Sequence, residues 1–122
     1  MPQRERTLLV VDDDPAILIT VSEILSDEGY QVVTASNGAE ALEALGRVMP
    51  QLILLDMRMP VMDGWEFARS LSEEQQAIPL IVMTAAYDAR QWALEIGAAG
   101  YLAKPFDLTE LLAVVERELP ED

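Results

Sequence analysis

The chain has 122 residues, a net charge of −14, and neither cysteine nor histidine. Without these two residue types, zinc, copper and haem sites are disfavoured, and hard cations that bind oxygen ligands, such as Mg²⁺ or Ca²⁺, remain. The negative charge argues against nucleic-acid binding, since phosphates would be repelled. No apolar run approaches the roughly 20 residues that span a bilayer. We therefore expect one globular domain over 1–122, cytoplasmic and without disulfides, that binds neither membrane nor nucleic acid.

Five short apolar runs predict β-strands. They lie at 7–11, 31–35, 51–55, 79–83 and 100–103. These runs lack polar alternation, which is typical of strands covered on both faces of a parallel sheet.

Between the strands, apolar residues recur at helical spacing and predict five helices. The apolar positions are Ile17, Val21, Ile24 and Leu25; Ala41, Leu42 and Leu45; Phe67, Ala68 and Leu71; Ala89, Ala93 and Ile96; and Leu108, Leu111, Leu112, Val115 and Leu119. The second helix ends before Gly46 and the fourth before Gly97, while Asp107 begins the fifth as its N-cap with Glu110 at the third helical position. Five strands that alternate with five helices indicate an α/β fold, a doubly wound (βα)₅ domain.

Polar side chains follow four of the predicted strands, at the sheet edge where ligands of open α/β sheets bind. They are Asp12, Asp13 and Asp14 after the first strand, Asp56 after the third, Thr84 after the fourth, and Lys104 with Pro105 after the fifth. Asp14 precedes Pro15 and is explained as a helix N-cap, with the proline at the first helical position. That role does not account for Asp12 and Asp13.

If the first and third strands are neighbours, Asp56 lies close to Asp12 or Asp13. Two such charges about 4 Å apart repel by about 4 kcal/mol at an effective dielectric constant of about 20. Mg²⁺ relieves such repulsion, because it accepts a few carboxylates and keeps several waters. Lys104 is the only lysine of the chain and follows the fifth strand, where it can hold a phosphoryl oxygen or pair with Asp56.

Four segments resemble the receiver domain of bacterial two-component response regulators in residues, order and spacing. They are VVDDDP at 10–15, LLDMRMPVMDG at 54–64, MTA at 83–85 and GYLAKPF at 100–106. Together they extend over nearly the whole chain. The resemblance implies a flavodoxin-like sheet of five parallel strands in the order 2-1-3-4-5.

The resemblance also implies a phosphorylation site with a bound metal. Asp56 would be the phosphoacceptor, and Mg²⁺ would be held by Asp12, Asp13, Asp56 and the backbone carbonyl of Met57. The residue types suit this chemistry, because a carboxylate is a competent nucleophile for phosphoryl transfer. The loose transition state depends mainly on positioning and charge neutralisation.

Five further residues receive roles from the same resemblance. Thr84 and Lys104 would contact the phosphoryl oxygens, and Tyr101 would change rotamer on activation. The peptide bond before Pro105 is expected to be cis, and Gly64 is expected to shape the loop after the third strand.

The implied function is that of a phosphoacceptor in a two-component phosphorelay. A histidine kinase or a histidine phosphotransfer protein would donate the phosphoryl group, and a downstream protein effector would bind the face formed by the fourth helix, fifth strand and fifth helix. The domain would phosphorylate and dephosphorylate itself without turning over an external substrate, so we do not expect an enzyme. Ala99 and Gly100 replace the acidic residues often found before the switch aromatic in dimerising members, which favours a monomer or weak dimer.

Two other function classes remain as alternatives. A metal-dependent phosphatase with an aspartate nucleophile typically carries a second acid two residues later, where this chain has Arg58. A receiver-like scaffold that acts without phosphorylation would not need the complete set of site residues, which is Asp12, Asp13, Asp56, Thr84 and Lys104. A small-molecule phosphodonor with Mg²⁺ separates the three classes by covalent label, sustained turnover or no reaction.

Overall fold

The computed structural model describes residues 6–85 and 87–120. Its strands are β1 (Thr7–Val11), β2 (Gln31–Ala35), β3 (Leu52–Asp56), β4 (Leu80–Ala85) and β5 (Gly100–Lys104). Its α-helices are α1 (Pro15–Asp27), α2 (Gly38–Leu45), α3 (Gly64–Arg69), α4 (Ala89–Ile96) and α5 (Leu108–Glu118), with a 3₁₀ turn at Gln75–Ala77. Within these residues, no helix has the length and apolar character that crossing a membrane requires.

The five strands form one parallel sheet in the order β2-β1-β3-β4-β5. This confirms the predicted flavodoxin-like α/β architecture and its strand order. The inner strands β1, β3 and β4 are deeply buried, because each is flanked by a strand on both sides and by helices on both faces. Their unbroken apolar sequences follow from this double coverage.

Two apolar cores lie on opposite faces of the sheet, as strand geometry requires. Along β1, Leu8 and Val10 face the core that contains α1 and α5, whereas Leu9 and Val11 face the core that contains α2, α3 and α4. The largest fully buried side chain is Phe67 of α3. Packed cores therefore support both faces of the sheet. Its carboxyl edge forms a rigid platform for the polar side chains that follow the strands.

The strand ends differ slightly from the predicted bounds. The third run was predicted at 51–55, but β3 extends to Asp56, which pairs in register with Met83 of β4. Likewise β4 continues through Thr84 to Ala85, which pairs with Lys104 of β5. The candidate site residues of these strands are thus held in the hydrogen-bonded ladder rather than in loops.

Side-chain caps begin four of the five α-helices. Asp14, Asn37, Asp63 and Asp107 each accept a hydrogen bond from a backbone N–H in the first turn. Asp107 and Glu110 form the predicted capping box. The α4 helix has no such side-chain bond at its N-cap, Asp88.

One predicted core position is wrong. Leu108 was assigned to the apolar stripe of the fifth helix, but its side chain is 52% exposed. It is the first residue of α5, directly after the cap, where the helix has not yet reached the sheet. The rest of the stripe packs inward, with Leu111 and Val115 fully buried.

We predict that Asp14→Ala lowers the free energy of unfolding by about 1 kcal/mol, because the cap bond to the Ala16 N–H is lost. Urea denaturation measures the change. The matched control is Asp27→Ala at the other end of α1, which removes the same charge without removing a cap bond. Equal losses in the two variants would contradict the cap assignment.

Candidate functional site

Three carboxylates meet at the carboxyl edge of the sheet. Because β1 and β3 are neighbours, ligand oxygens of Asp12, Asp13 and Asp56 all lie within 4.8 Å of one another. Asp12 is fully buried and Asp56 is 6% exposed, whereas Asp13 is exposed. The cluster therefore has a buried floor and one carboxylate at its solvent side.

Lys104 extends from β5 across β4 and partly neutralises this cluster. Its Nζ donates a hydrogen bond to Asp12 Oδ2 at 2.7 Å and lies 3.7 Å from Asp56 Oδ1. The other oxygen of Asp12 accepts the Asp14 backbone N–H at 2.9 Å. Asp12 is thus held in place on both oxygens, and the one ammonium pairs with two of the three carboxylates.

Together with burial, the excess of negative charge in the cluster contributes to a raised pKa of Asp56. Burial raises the pKa of its carboxyl from 3.8 to about 6, the negative charge of Asp12 adds to the rise, and Lys104 opposes it. A second cation at this position would favour the ionised form and so reverse the effect. The raised pKa is therefore a physical sign of a site in which negative charge is undercompensated.

Oxygen donors dominate the cluster, and they suit a hard cation. Carboxylates and backbone carbonyls are the protein ligands that Mg²⁺ prefers. Asp13 makes no hydrogen bond or ion pair with its side chain within the described part of the chain, so its oxygens are available. The donor set fits Mg²⁺ on chemical grounds.

Thr84 and Tyr101 lie on the same face of the sheet, Thr84 near its carboxyl edge and Tyr101 further from it. Thr84 is 4% exposed near the end of β4, beside Ala103 of β5. Tyr101 pairs with Val82 further down the sheet and is 45% exposed. The tyrosine side chain contributes to a surface groove between α4, β5 and α5 and does not line the acidic cluster.

Gly64 lets the loop after β3 fold back against the Met57 backbone. Its N–H donates to the Met57 carbonyl at 2.9 Å. A Cβ at Gly64 would lie 2.8 Å from the Met57 Cα, which is too close for any side chain. Glycine is therefore required by the close approach of two backbone segments. The bond between Lys104 and Pro105, expected to be cis, is cis.

Sequence reasoning missed one group next to the cluster. The Arg58 guanidinium, two residues after Asp56, lies 5.0 Å from the ring centroid of Trp92 in α4. Trp92 packs edge-on against Trp65 of α3 with centroids 4.8 Å apart. Both tryptophans of the chain take part in this contact. The fold brings them together, and no pattern in the sequence indicated it.

Comparison with known proteins identifies the family. Residues 8–116 match the family model described as response regulator receiver domain. The chain is a response regulator receiver domain. This receiver is 40% identical over 115 residues to sporulation initiation phosphotransferase F of Bacillus subtilis (strain 168), and the match covers 93% of each chain. Its fold is similar to chemotaxis response regulator CheY4 of Vibrio cholerae, with a TM-score of 0.85, 35% identity and coverage of 93% and 98% of the two chains.

Other relatives are longer than this receiver. The DNA-binding transcriptional regulator NtrC of Escherichia coli (strain K12) is 42% identical over 112 residues, which are 24% of its length. Response regulator MprA of Mycobacterium leprae is 40% identical over 121 residues, which are 53% of its length. The chain therefore spans about a quarter of one relative and about half of the other.

We predict that Asp56→Asn stabilises the metal-free receiver at neutral pH but not in acid. The pKa of Asp56 is raised in the folded state, so its contribution to stability is present below about pH 4 and is lost as the pH rises through about 6. A shift of about two pKa units corresponds to about 3 kcal/mol. The variant's gain in unfolding free energy should be small below about pH 4 and about 2–3 kcal/mol at about pH 7.5.

Urea denaturation in a chelator across this pH range measures the gain. Asp88→Asn is the matched control, since it removes one negative charge outside the cluster. A gain that does not change with pH, or an equal gain in the control, would contradict the electrostatic account.

Proposed function

We propose that this receiver takes a phosphoryl group from a phosphohistidine onto Asp56 with bound Mg²⁺, as one step of a phosphorelay. The observation that carries the proposal is the Asp56 carboxylate at the edge of β3, with Asp12 and Asp13 on one side and the Lys104 ammonium 3.7 Å away. Such an arrangement combines a nucleophile with cations and cation ligands, which are what phosphoryl transfer needs.

In the transfer step, an Asp56 oxygen attacks phosphorus while the phosphorus–nitrogen bond of the donor breaks. The imidazole nitrogen leaves with the bonding electron pair, and an aspartyl phosphate remains. Lys104 can turn from Asp12 towards a phosphoryl oxygen, and the Thr84 hydroxyl can donate to another. Bound Mg²⁺ would supply neutralisation of the charge that develops on these oxygens.

The proposed metal ligands are Asp12, Asp13, Asp56 and the Met57 carbonyl. Asp12 Oδ1 and Oδ2 already accept hydrogen bonds, but each carboxylate oxygen has a second lone pair. The Met57 carbonyl also accepts a bond, from Gly64. The Arg58 carbonyl accepts none from the described residues and is the alternative fourth ligand.

Phosphorylation would be communicated through Thr84 and Tyr101. New negative charge at Asp56 draws the Thr84 hydroxyl towards it and opens space beneath the end of β4. Tyr101, now 45% exposed, would turn inward and reshape the groove that it forms with Leu94 and Arg117. An effector protein would read this change.

Response regulators act with histidine kinases and downstream effectors, and we infer the same for this chain. A histidine kinase or a histidine phosphotransfer protein would be the donor, since the receiver itself contains no histidine. We further infer a single cytoplasmic domain over 1–122, monomeric or weakly dimeric, without nucleic-acid or membrane binding of its own. A phosphatase role is disfavoured, because Arg58 contacts Trp92 where a second acid would be needed.

We predict that incubation with acetyl phosphate and Mg²⁺ adds one phosphoryl group to the receiver and that Asp56→Asn adds none. The substitution removes the nucleophile but keeps its shape. Intact-protein mass spectrometry measures the label. The control is Asp63→Asn, a cap residue outside the cluster, which should remain labelled. Undiminished label on Asp56→Asn would refute the phosphoacceptor assignment, and multiple turnover would favour a phosphatase.

We also predict that Asp13→Ala weakens Mg²⁺ binding at least about tenfold, because it removes a ligand that makes no other side-chain bond in the described chain. Calorimetric titration measures the affinity. Asp14→Ala removes the neighbouring charge from a helix cap and should leave the affinity nearly unchanged. Equal effects of the two substitutions would mean that only the general negative potential matters.

A further inference from the structure

Arg58 connects the phosphorylation loop to helix α4. Its guanidinium carbon lies 5.0 Å from the Trp92 ring centroid, within the range of a cation–π contact. The contact joins a residue two positions after Asp56 to the middle of α4. In the described chain no carboxylate forms an ion pair with Arg58, so the aromatic ring is its principal partner.

Trp92 connects helix α4 to neighbouring parts of the structure. Its side chain is 9% exposed and belongs to the same apolar core as Met57, the residue between Asp56 and Arg58. Its other neighbour is Trp65 of α3, whose Nε1–H donates to Glu95 of α4 at 3.0 Å. Arg58, Trp65, Trp92 and Glu95, which we call the tryptophan cluster, tie α4 to two elements on the site side.

Helix α4 lacks a side-chain cap at its N-terminus and is held there by the buried Ala89 and a backbone bond from Asp88 to Ala85. Four α-helices begin with a side-chain cap, and α4 does not. Tyr87, just before it, is 98% exposed. The position of α4 therefore depends on its packing and on the tryptophan cluster more than on its own N-cap.

Two groups attract the Arg58 guanidinium: the acidic cluster and the ring of Trp92. It lines the same cleft as Asp13, at the solvent side of the acidic cluster. The cluster of three carboxylates is paired with one ammonium, so added negative charge at Asp56 strengthens the attraction of a nearby cation. The ring of Trp92 offers a weaker attraction, worth about a two- to fivefold change in an equilibrium at an exposed site.

We propose that Arg58 is a positioning residue that couples the charge at Asp56 to helix α4 through Trp92. In the unphosphorylated receiver the guanidinium holds the ring and with it the helix. When Asp56 is phosphorylated, Arg58 leaves the ring for the added charge and α4 loosens. The proposal rests on the proposed function, and it adds a connection from the loop after β3 that does not pass through Thr84 or Tyr101.

The test follows α4 in the whole chain, with acetyl phosphate and Mg²⁺ as the phosphorylating agent. Two readouts are used: amide hydrogen exchange of Ala89–Ile96, and the indole N–H resonance of Trp92. Trp65→Phe assigns that resonance, since the chain has only two tryptophans. The variants are Arg58→Met, which keeps chain length without charge, and Arg58→Lys, which keeps charge without the flat guanidinium.

In the native sequence, phosphorylation should raise α4 exchange about two- to fivefold and shift the Trp92 resonance. Arg58→Met should raise exchange by a similar factor before phosphorylation, and phosphorylation should then add nothing, because both changes break the same contact. Arg58→Lys should give an α4 exchange rate between those of the native sequence and Arg58→Met. Arg90→Met, which removes a cation from α4 that touches no ring in the described chain, should behave as the native sequence does.

Additive effects of Arg58→Met and phosphorylation would overturn the proposal, since they would show a structural contact without coupling. An unchanged α4 on phosphorylation of the native sequence would also overturn it. Intact mass is recorded on every sample, and exchange is compared at equal phosphorylated fraction. If the native chain takes no label, the proposed function fails; if it takes label and α4 responds equally in Arg58→Met, only the coupling fails.

Discussion

The close approach of three carboxylates at one edge of a parallel sheet is the constraint on which this receiver depends. Asp12 directly follows β1 and Asp56 ends the neighbouring strand β3, so the strand spacing sets the separation of their backbones. Lys104 offsets part of the repulsion by a 2.7 Å bond to Asp12. Burial and the remaining excess of negative charge raise the pKa of Asp56 to about 6. Added positive charge at the site is therefore favourable.

The rest of the fold keeps these charges in place. Apolar cores on both faces of the sheet hold β1 and β3, and the strand ladder extends to Asp56 and Lys104. Gly64 lets the following loop come close to Met57. A rigid platform of this kind favours phosphoryl transfer, because catalysis by positioning loses its effect when reacting groups move apart. Among the α-helices, α4 alone begins without a side-chain cap bond in the described chain.

The receiver domain occurs in relatives of different lengths. It matches one relative over 93% of that protein's length and another over 24%, so the same platform occurs alone and within longer regulators. In the proposed coupling, the tryptophan cluster is a separate route by which charge at the sheet edge affects helix α4.

The sequence by itself determined the fold class, because uninterrupted apolar strands that alternate with amphipathic helices have few other solutions. It also determined the Asp14 and Asp107 caps, which depend on residues a few positions apart. Strand order came from family resemblance, and the exposure of Leu108 was mispredicted because helical period does not reveal where a neighbouring sheet begins. Only the tertiary structure decided which of the aspartates converge and that Arg58 meets Trp92, since both depend on contacts between residues distant in the chain.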